Sequence, residues 1–478
     1  MKIRFIEPGN PPYRPSLSNY FVYDKYIRTP SNGQMTLATI AKRYADNTLM
    51  YSESISEIKW EDVLDADIVF FSIFTFNANR GYELSDYVRK NSKAVTVIGG
   101  LHATLCPVEA AGHCDYVLAG EGDETVVKLI QCVEKCEIPD FAGIVRIDEQ
   151  GNVIDRGRAP LPEDIDVIPD RSLCCSFKKM TKYNTIWPQV HASRGCPHSC
   201  SYCSLVAAFC RCVRTRTPDN VLEDIRQAIE FFDTGNHRLS KCLWITDDNF
   251  FADRQWAVEV LQKIIDSGIK YMFTVQARYE VGFDDELLEL LKKAGFEELA
   301  MGIEFLEDEA FEINRKKSTY DQILRSVKNI QRHGIRVRGL FIVGADNHTK
   351  GVGERLADFV IENDICGVLI QSMYFVPGTP SYEEHKDKLI DSGRNGESDW
   401  SRCTGKVVHY PEKLTPYELQ MEIITASKKI YSIKRFFGAV FHRRGISRIL
   451  FMGECFWQRS VRKELKKELN MLRKVSGI

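Results

Sequence analysis

A chain of 478 residues predicts two to four domains, and its net charge of −2 excludes nucleic acid as an obligate partner of the whole chain. Its 15 cysteines are odd in number and lack the spacing of a secreted disulfide scaffold, which predicts a reducing cytoplasm. No apolar run reaches the roughly 18 residues of a membrane-spanning helix, and residues 1–8 read as a short strand broken by Pro8, not as a signal peptide.

Taken in chain order, residues 2–6 predict a first strand and Pro8-Gly9-Asn10-Pro11-Pro12 the loop leaving it. A helical pattern covers 35–44. Two nearly continuous apolar runs follow, 67–72 and 94–100, with a helix at 80–90 between them. A third run, 115–119, ends in Gly120-Glu121-Gly122 before a helix at 125–134. Strands buried on both faces have this composition, and their alternation with helices predicts an α/β domain with a parallel, doubly wound, Rossmann-like sheet. Ligands of such sheets bind beyond the carboxyl ends of the strands, so Ser72, Gly99, Gly100, His102, Gly120 and Glu121 belong to one rim. Glycines at such places also serve simply as strand-to-helix turns. Residues 142–155 have hairpin character around a turn at 148–152, and Pro160, Pro162 and Pro169 mark an extended linker.

From about residue 187 a strand–helix unit recurs. Strands are expected at 187–192, 242–246, 271–276, 298–305, 336–343 and 367–375. Helices are expected at 220–232, 256–265, 286–293 and 354–362, and from Tyr320 behind a Thr319/Gln322 capping box. Six β/α units predict a (β/α)6 partial TIM barrel with its active groups at the strand C-termini. Those ends carry Asp247-Asp248-Asn249, Gln276 and Arg278, Glu304, Asp346, and Pro377-Gly378-Thr379-Pro380.

After the first of these strands comes Arg194-Gly195-Cys196-Pro197-His198-Ser199-Cys200-Ser201-Tyr202-Cys203. Three thiolates this close on one loop can converge on a single cubane iron–sulfur cluster, and three ligands for four irons leave one iron open to a small molecule. Zinc is the competing occupant, but a structural zinc site takes four protein ligands in paired knuckles, and His198 is badly placed to be the fourth. Cys210 and Cys212, just beyond, could bind a second metal, act on substrate or be bystanders; Arg211, Arg214 and Arg216 beside them favour a nearby anion.

The C-x3-C-x2-C spacing, with Tyr202 before Cys203, resembles the radical S-adenosylmethionine (SAM) superfamily. The resemblance implies a [4Fe-4S] cluster held by Cys196, Cys200 and Cys203, with SAM bound to the open iron and cleaved by one electron to a 5′-deoxyadenosyl radical. It also implies SAM contacts from Tyr202, from Asp247 and Asp248 to the methionyl ammonium, and from Gln276, Arg278 and Glu304 to ribose and carboxylate. A carboxylate near an ammonium is the expected electrostatic match. Gly99 to Thr104 (G-G-x-H-A-T) and Gly120 to Thr125 (G-E-G-x-E-T) resemble the cobalamin-binding domain of one branch of that superfamily, which implies cobalamin over Ser72, Gly99, Gly100, His102, Gly120 and Glu121. Within residues 1–150 no D-x-H-x-x-G stretch supplies an imidazole to cobalt. The resemblance covers residues 1–425 and divides the chain into a cobalamin-type domain (1–150), a linker (151–186), a radical SAM barrel (187–400) and a C-terminal helical cap (401–478).

From Lys428 onward 14 Lys or Arg stand against 3 Glu, a charge of +11 that leaves −13 on residues 1–427. Phe436, Phe437, Phe441, Phe451, Phe456 and Trp457 are interleaved. This region is expected either to cap the barrel or to make a peripheral membrane contact. The expected activity is cobalamin-dependent methyl transfer to an unactivated carbon of a small-molecule, lipid or peptide substrate, with an external electron donor of the flavodoxin or ferredoxin type. The alternatives are radical C–C coupling, ring rearrangement or oxidative cyclisation without methyl transfer, methylthio transfer, and a cobalamin- or redox-responsive binding protein. Methylthio transfer is disfavoured because Cys106, Cys114, Cys132 and Cys136 do not form a second cluster set.

Overall fold

The computed structural model describes residues 1–10, 29–178, 188–232, 241–390, 399–442 and 445–478, with the backbone alone at 440–442 and 445–450. The first sheet has seven strands: β1 Lys2–Glu7, β2 Asn47–Ser52, β3 Ile68–Ser72, β4 Val95–Gly99, β5 Tyr116–Leu118, β6 Ile144–Ile147 and β7 Val153–Asp155. Their spatial order is β2-β1-β3-β4-β5-β6-β7, and the first five are parallel. Side-chain alternation divides the sheet between two cores. Ile3, Phe5, Ile68 and Phe70 pack with Met35 and Leu129 on one face, and Ile6, Val69, Phe71 and Ile98 with Leu84 and Val88 on the other. The doubly wound α/β sheet expected from the sequence is therefore present, but it is mixed. The 144–155 hairpin adds antiparallel β6 and β7, its turn held by Asp148 accepting from the Gln150 and Asn152 amides. Strand β2 was not anticipated, because Asn-Thr-Leu-Met-Tyr-Ser alternates too weakly to read as a buried strand.

The second half opens with β8 (Gln189–Val190), then a two-stranded antiparallel ribbon of β9 (Ser193–Arg194) and β10 (Arg214–Thr215) that the sequence did not reveal. Five further strands follow: β11 Cys242–Ile245, β12 Met272–Ala277, β13 Phe296–Glu304, β14 Arg336–Val343 and β15 Gly367–Ser372. With β8 they form a six-stranded parallel sheet in the order β15-β14-β13-β12-β11-β8, the partial barrel. Its helices include Pro218–Phe232, Arg254–Ser267, Asp285–Lys293, Tyr320–Arg332 and Val352–Glu362. The Thr319/Gln322 capping box forms as expected, and a second closes on Thr415 and Glu418. Strand β8 is shorter than the 187–192 expected, and residue 187 lies outside the described residues. Beyond Val190 a side chain replaces the ladder: the Ala192 amide donates to Asp247.

The linker is fixed where Arg171 and Arg216 both bond Asp224, fully buried on the helix Pro218–Phe232, each at 2.7 Å. At the C-terminus the helices Pro416–Ile430, Ile433–His442, Gly445–Lys467 and Leu469–Val475 cap the barrel. Leu419, Ile423, Phe451, Leu465 and Leu472 join its core, each burial contributing roughly 1.5–3 kcal/mol. Glu454 reaches Arg338 on β14, and Gln458 donates to the Val368 carbonyl at 3.3 Å. Among the described residues no helix is long and apolar enough to cross a membrane.

Candidate active site

The loop 195–213 hangs between the two strands of the β9–β10 ribbon, so its feet are fixed before any cofactor is considered. Gly195 has φ +91, and a Cβ there would lie 2.0 Å from the Cys212 carbonyl oxygen, so only glycine lets the two feet approach. Further round, Ser201 clamps the loop at three points: its amide donates to the Asn314 carbonyl, its carbonyl accepts from the Ser381 amide, both at 3.1 Å, and the two hydroxyls meet at 2.9 Å. The Cys203 amide closes a turn onto the Cys200 carbonyl at 3.2 Å.

All 15 cysteines are free thiols, and Cys196, Cys200 and Cys203 are half-buried together. Burial pushes the Cys203 thiol up to about 11 and raises that of Cys196 as well, so thiolates there need a cationic partner. A coordinated metal supplies one, since a coordinating thiol is deprotonated outright. Among the described residues only His102, Cys106 and Glu109 gather three ligand atoms within 4.8 Å of one another. The loop cysteines are more widely set. A single zinc at about 2.3 Å from each sulfur would draw them to about 3.8 Å apart, whereas a cubane takes each thiolate on a different iron. The wider setting of the donors suits a cluster better than one ion.

Around this loop the structure brings most of the strand-end residues together. Asp248 accepts from the Gly195 amide at 3.4 Å, and burial pushes its carboxyl up to about 6. Asp247, fully buried, accepts from the Ala192 amide at 2.7 Å and the Ser193 hydroxyl at 2.6 Å; burial pushes it up to about 7. Its carboxylate grips the approach to the loop, a role that Ser193 made invisible in the sequence. Asn249 stands 4.0 Å from the Cys196 sulfur. Tyr202 lies edge-on to Phe305 and beside Glu304, whose φ of +67 follows a bulge after Gly302 and turns its carboxylate to Lys316 at 3.7 Å. Arg278 is paired with Glu280 at 3.0 Å and lies near Cys196 and Cys200. Gln276 is half-buried on β12 opposite Ala300.

The rim of the first sheet meets the same loop. Ser72 pairs with Gly99 at the strand ends. Gly100, at φ +97, lies so close to Ile73 that a Cβ would stand 2.7 Å from its carbonyl oxygen. Thr104, the last residue of the G-G-x-H-A-T stretch, ties the two glycine turns: its hydroxyl donates to the Gly100 carbonyl and accepts from the Gly120 amide, both at 2.9 Å. Glu121 reaches out of the rim to Arg194 at 2.6 Å and to Arg214, the feet of the cysteine loop, and Asp123 adds a second bond to Arg194 at 2.8 Å. Burial opposes ionisation of Glu121, but the two guanidiniums hold it below the usual carboxylate range. His102 is set apart. Fully buried, its ring lies between Thr75, Glu109 and Trp400, and Glu109 also accepts from the Trp400 indole at 2.8 Å.

A partial barrel with three thiols at its mouth, faced by the glycine rim of a Rossmann-like sheet, defines an α/β enzyme built around an iron–sulfur cluster and a second large cofactor. Residues 190–360 match the Radical SAM superfamily model, and residues 55–130 match that of the B12 binding domain. The bacteriochlorophyllide d C-12(1)-methyltransferase of Chlorobaculum tepidum is 26% identical over 400 residues, 83% of this chain and 81% of that one. The hopanoid C-2 methylase of Rhodopseudomonas palustris is 22% identical over 436 residues, 87% and 77% of the two chains. The fold is shared with the radical SAM methyltransferase TsrM from Kitasatospora setae, solved with cobalamin and a [4Fe-4S] cluster bound. There the TM-score is 0.70 at 14% identity, covering 98% of this chain and 99% of that one. The chain thus carries a radical SAM domain preceded by a B12-binding domain, and its relatives include the two methylating enzymes above. Its cofactors are accordingly a [4Fe-4S] cluster, SAM and cobalamin.

Proposed function

We propose that this enzyme methylates an unactivated carbon of an apolar small-molecule or lipid-like substrate. One observation carries the reading: Glu121, on the rim of the cobalamin-type sheet, bonds both feet of the cysteine loop, so the two cofactor sites open onto one space. When bound, the cluster and SAM supply a hydrogen-abstracting radical and cobalamin supplies a methyl group. Two relatives, one named a C-12(1)-methyltransferase and the other a C-2 methylase, support transfer to carbon.

The chain's own residues bind, orient and exclude water. Cys196, Cys200 and Cys203 hold the cluster, on a loop that Ser201 and Gly195 keep in shape. Asp248 offers its carboxylate to the methionyl ammonium, while Asp247 positions the strand beneath. Tyr202, Gln276, Arg278 and Glu304 surround the remainder of SAM. Ser72, Gly99, Gly100 and Gly120 present backbone that cobalamin can approach closely, Glu121 holds that rim against the loop, and His102 supports it from behind. On β14 and β15, Leu340, Ile342 and Leu369 are incompletely covered, which supports an apolar substrate. The division of the chain at 150, 186 and 400 belongs to the same proposal, as does a reducing cytoplasmic setting that suits 15 free thiols.

A membrane contact is part of the reading. Ile433, Phe437 and Phe456 are 77%, 53% and 65% exposed on the C-terminal helices, beside exposed Lys434, Arg459 and Lys463. Apolar side chains within a basic surface suit an anionic lipid interface.

The test of the reading is anaerobic reconstitution with iron, sulfide and cobalamin, followed by product analysis with SAM and a reductant. Methyl transfer predicts retained cobalamin and both 5′-deoxyadenosine and S-adenosylhomocysteine. Deoxyadenosine alone, with cobalamin washing off, would replace it by a radical rearrangement or coupling.

A further inference from the structure

An enzyme of this class needs an electron from outside, and the fold leaves one side of the cysteine loop open to receive it. Residues 197–200 form one wall of a cavity of about 130 Å³, and Arg211, Arg278, Arg315 and Lys317 form the rest. These four cations come from three separate stretches of chain, so the convergence is tertiary and no linear motif encodes it. Arg278 is compensated by Glu280. Among the described residues Arg315 pairs only with the exposed Glu384, at 3.6 Å with both side chains more than half in water, and such pairs are worth little. Arg211 and Lys317 are exposed and have no ion-pair partner among the described residues. The mouth is therefore basic, on a portion of chain, residues 1–427, that is acidic overall at −13.

The cavity is too small for a cofactor or a drug-sized ligand. Its exposed cations nevertheless surround a cluster ligand, Cys200, so a partner resting on them would be separated from the cluster by little more than that residue. Charge arranged in this way steers an oppositely charged macromolecule more than it binds it tightly. Resting on the radical-enzyme reading above, we propose that this mouth is the docking surface for an acidic one-electron donor protein of the flavodoxin or ferredoxin type, with Arg211, Arg315 and Lys317 as its contacts. Docking passes one electron. The donor's reduced centre is oxidised by one electron and the cluster is reduced by one, with no bond made or broken between the two proteins.

The test uses the reconstituted full-length enzyme, a flavodoxin as donor, and the variant R211E/R315E/K317E. Affinity for flavodoxin is measured by biolayer interferometry at low salt and at about 0.5 M salt, where surface charges are screened. SAM cleavage is measured with reduced flavodoxin and, separately, with dithionite. The expected result is an affinity lowered by about ten-fold or more, loss of its salt dependence, a matching fall in flavodoxin-driven cleavage, and unchanged cleavage with dithionite. The milder R211Q/K317Q variant should fall between the two, and iron content and circular dichroism equal to wild type exclude misfolding as the cause. Undiminished flavodoxin affinity in the charge-reversed enzyme overturns the proposal. So does an equal loss with dithionite, which would give these cations to SAM or substrate. A wild-type enzyme that cleaves no SAM with dithionite sinks the radical-enzyme reading instead, and the binding measurement alone then decides the docking surface.

Discussion

Replacing Glu121 by Gln isolates the contact that joins the two halves of the site. Glu121 is 8% exposed at its side chain and bonds Arg194 and Arg214, themselves 19% and 15% exposed. In E121Q, Arg194 keeps Asp123 at 2.8 Å, but Arg214 is left with a neutral amide oxygen and the Pro162 carbonyl at 3.4 Å, and with no carboxylate. One buried guanidinium is thus orphaned, and breaking a buried pair from one side costs about 3–5 kcal/mol; the lower figure applies because only one of the two arginines loses its carboxylate. At 1.4 kcal/mol per decade, about 3 kcal/mol is roughly a hundred-fold in local opening. Hydrogen exchange of amides 193–215 in the apo-protein reads that opening directly, and we expect it to accelerate by about two orders of magnitude in E121Q. The pH dependence has a definite sign. The folded value of Glu121 is depressed, so its contribution is present above the ordinary carboxylate range and lost as pH falls through the folded value. The difference between wild type and variant should therefore shrink in acid. If exchange is unchanged and cobalamin retention falls instead, Glu121 acts on the cofactor and the argument from the ion pairs is wrong.

Gly195→Ala places a methyl group against the Cys212 carbonyl at a left-handed position, with strain of order 1–3 kcal/mol before the overlap is counted; iron and sulfide content after reconstitution should drop several-fold while circular dichroism is kept. Asp247, folded near 7 against an ordinary 3.8, takes up a proton on folding, so its contribution to stability falls between about pH 4 and 7 and is flat above. D247N, whose amide oxygen still accepts from Ala192 and whose amide nitrogen donates to the Ser193 hydroxyl in place of accepting from it, should gain on wild type across that window by up to about 4 kcal/mol in urea titrations, and parallel curves would show that Asp247 ionises freely. Vesicles containing anionic lipid should co-sediment wild type but release F437S/F456S, each ring contributing roughly 1.5–3 kcal/mol of burial; equal binding to neutral vesicles would remove the membrane contact.

What the sequence made legible was whatever is local. The cysteine spacing, the glycine turns after β4 and β5, the Thr319/Gln322 box and the polar residues at the barrel strand ends all lie within a few residues of their structural consequence. Strand β2 escaped because an edge strand needs little apolar alternation, and the β9–β10 ribbon because two residues per strand carry no period. The contacts that shape the site were beyond reach for another reason. Ser201 meets Ser381 across 180 residues, Asp247 meets Ser193 across 54 and Glu121 meets Arg214 across 93. Only the strand order decides which of the many serines and arginines in the chain become those partners. Asp247 shows the consequence most clearly: its position at a strand end was readable, but not the bonds to Ala192 and Ser193 that occupy both carboxylate oxygens.

The ribbon that suspends the cysteine loop also bears on how such chains can be recombined. A barrel transplanted behind a different cobalamin-type sheet would carry Arg194 and Arg214 with it. It would find a counterpart of Glu121 only where that sheet has the same G-E-G-x-E-T turn, and one of Asp123, at the position the pattern leaves open, only if residue 123 travelled too. The unit of exchange between relatives is then not the domain but the domain plus one loop of its neighbour. Chimeras cut in the linker should load cluster poorly, and grafting 120–125 alongside the barrel should restore them.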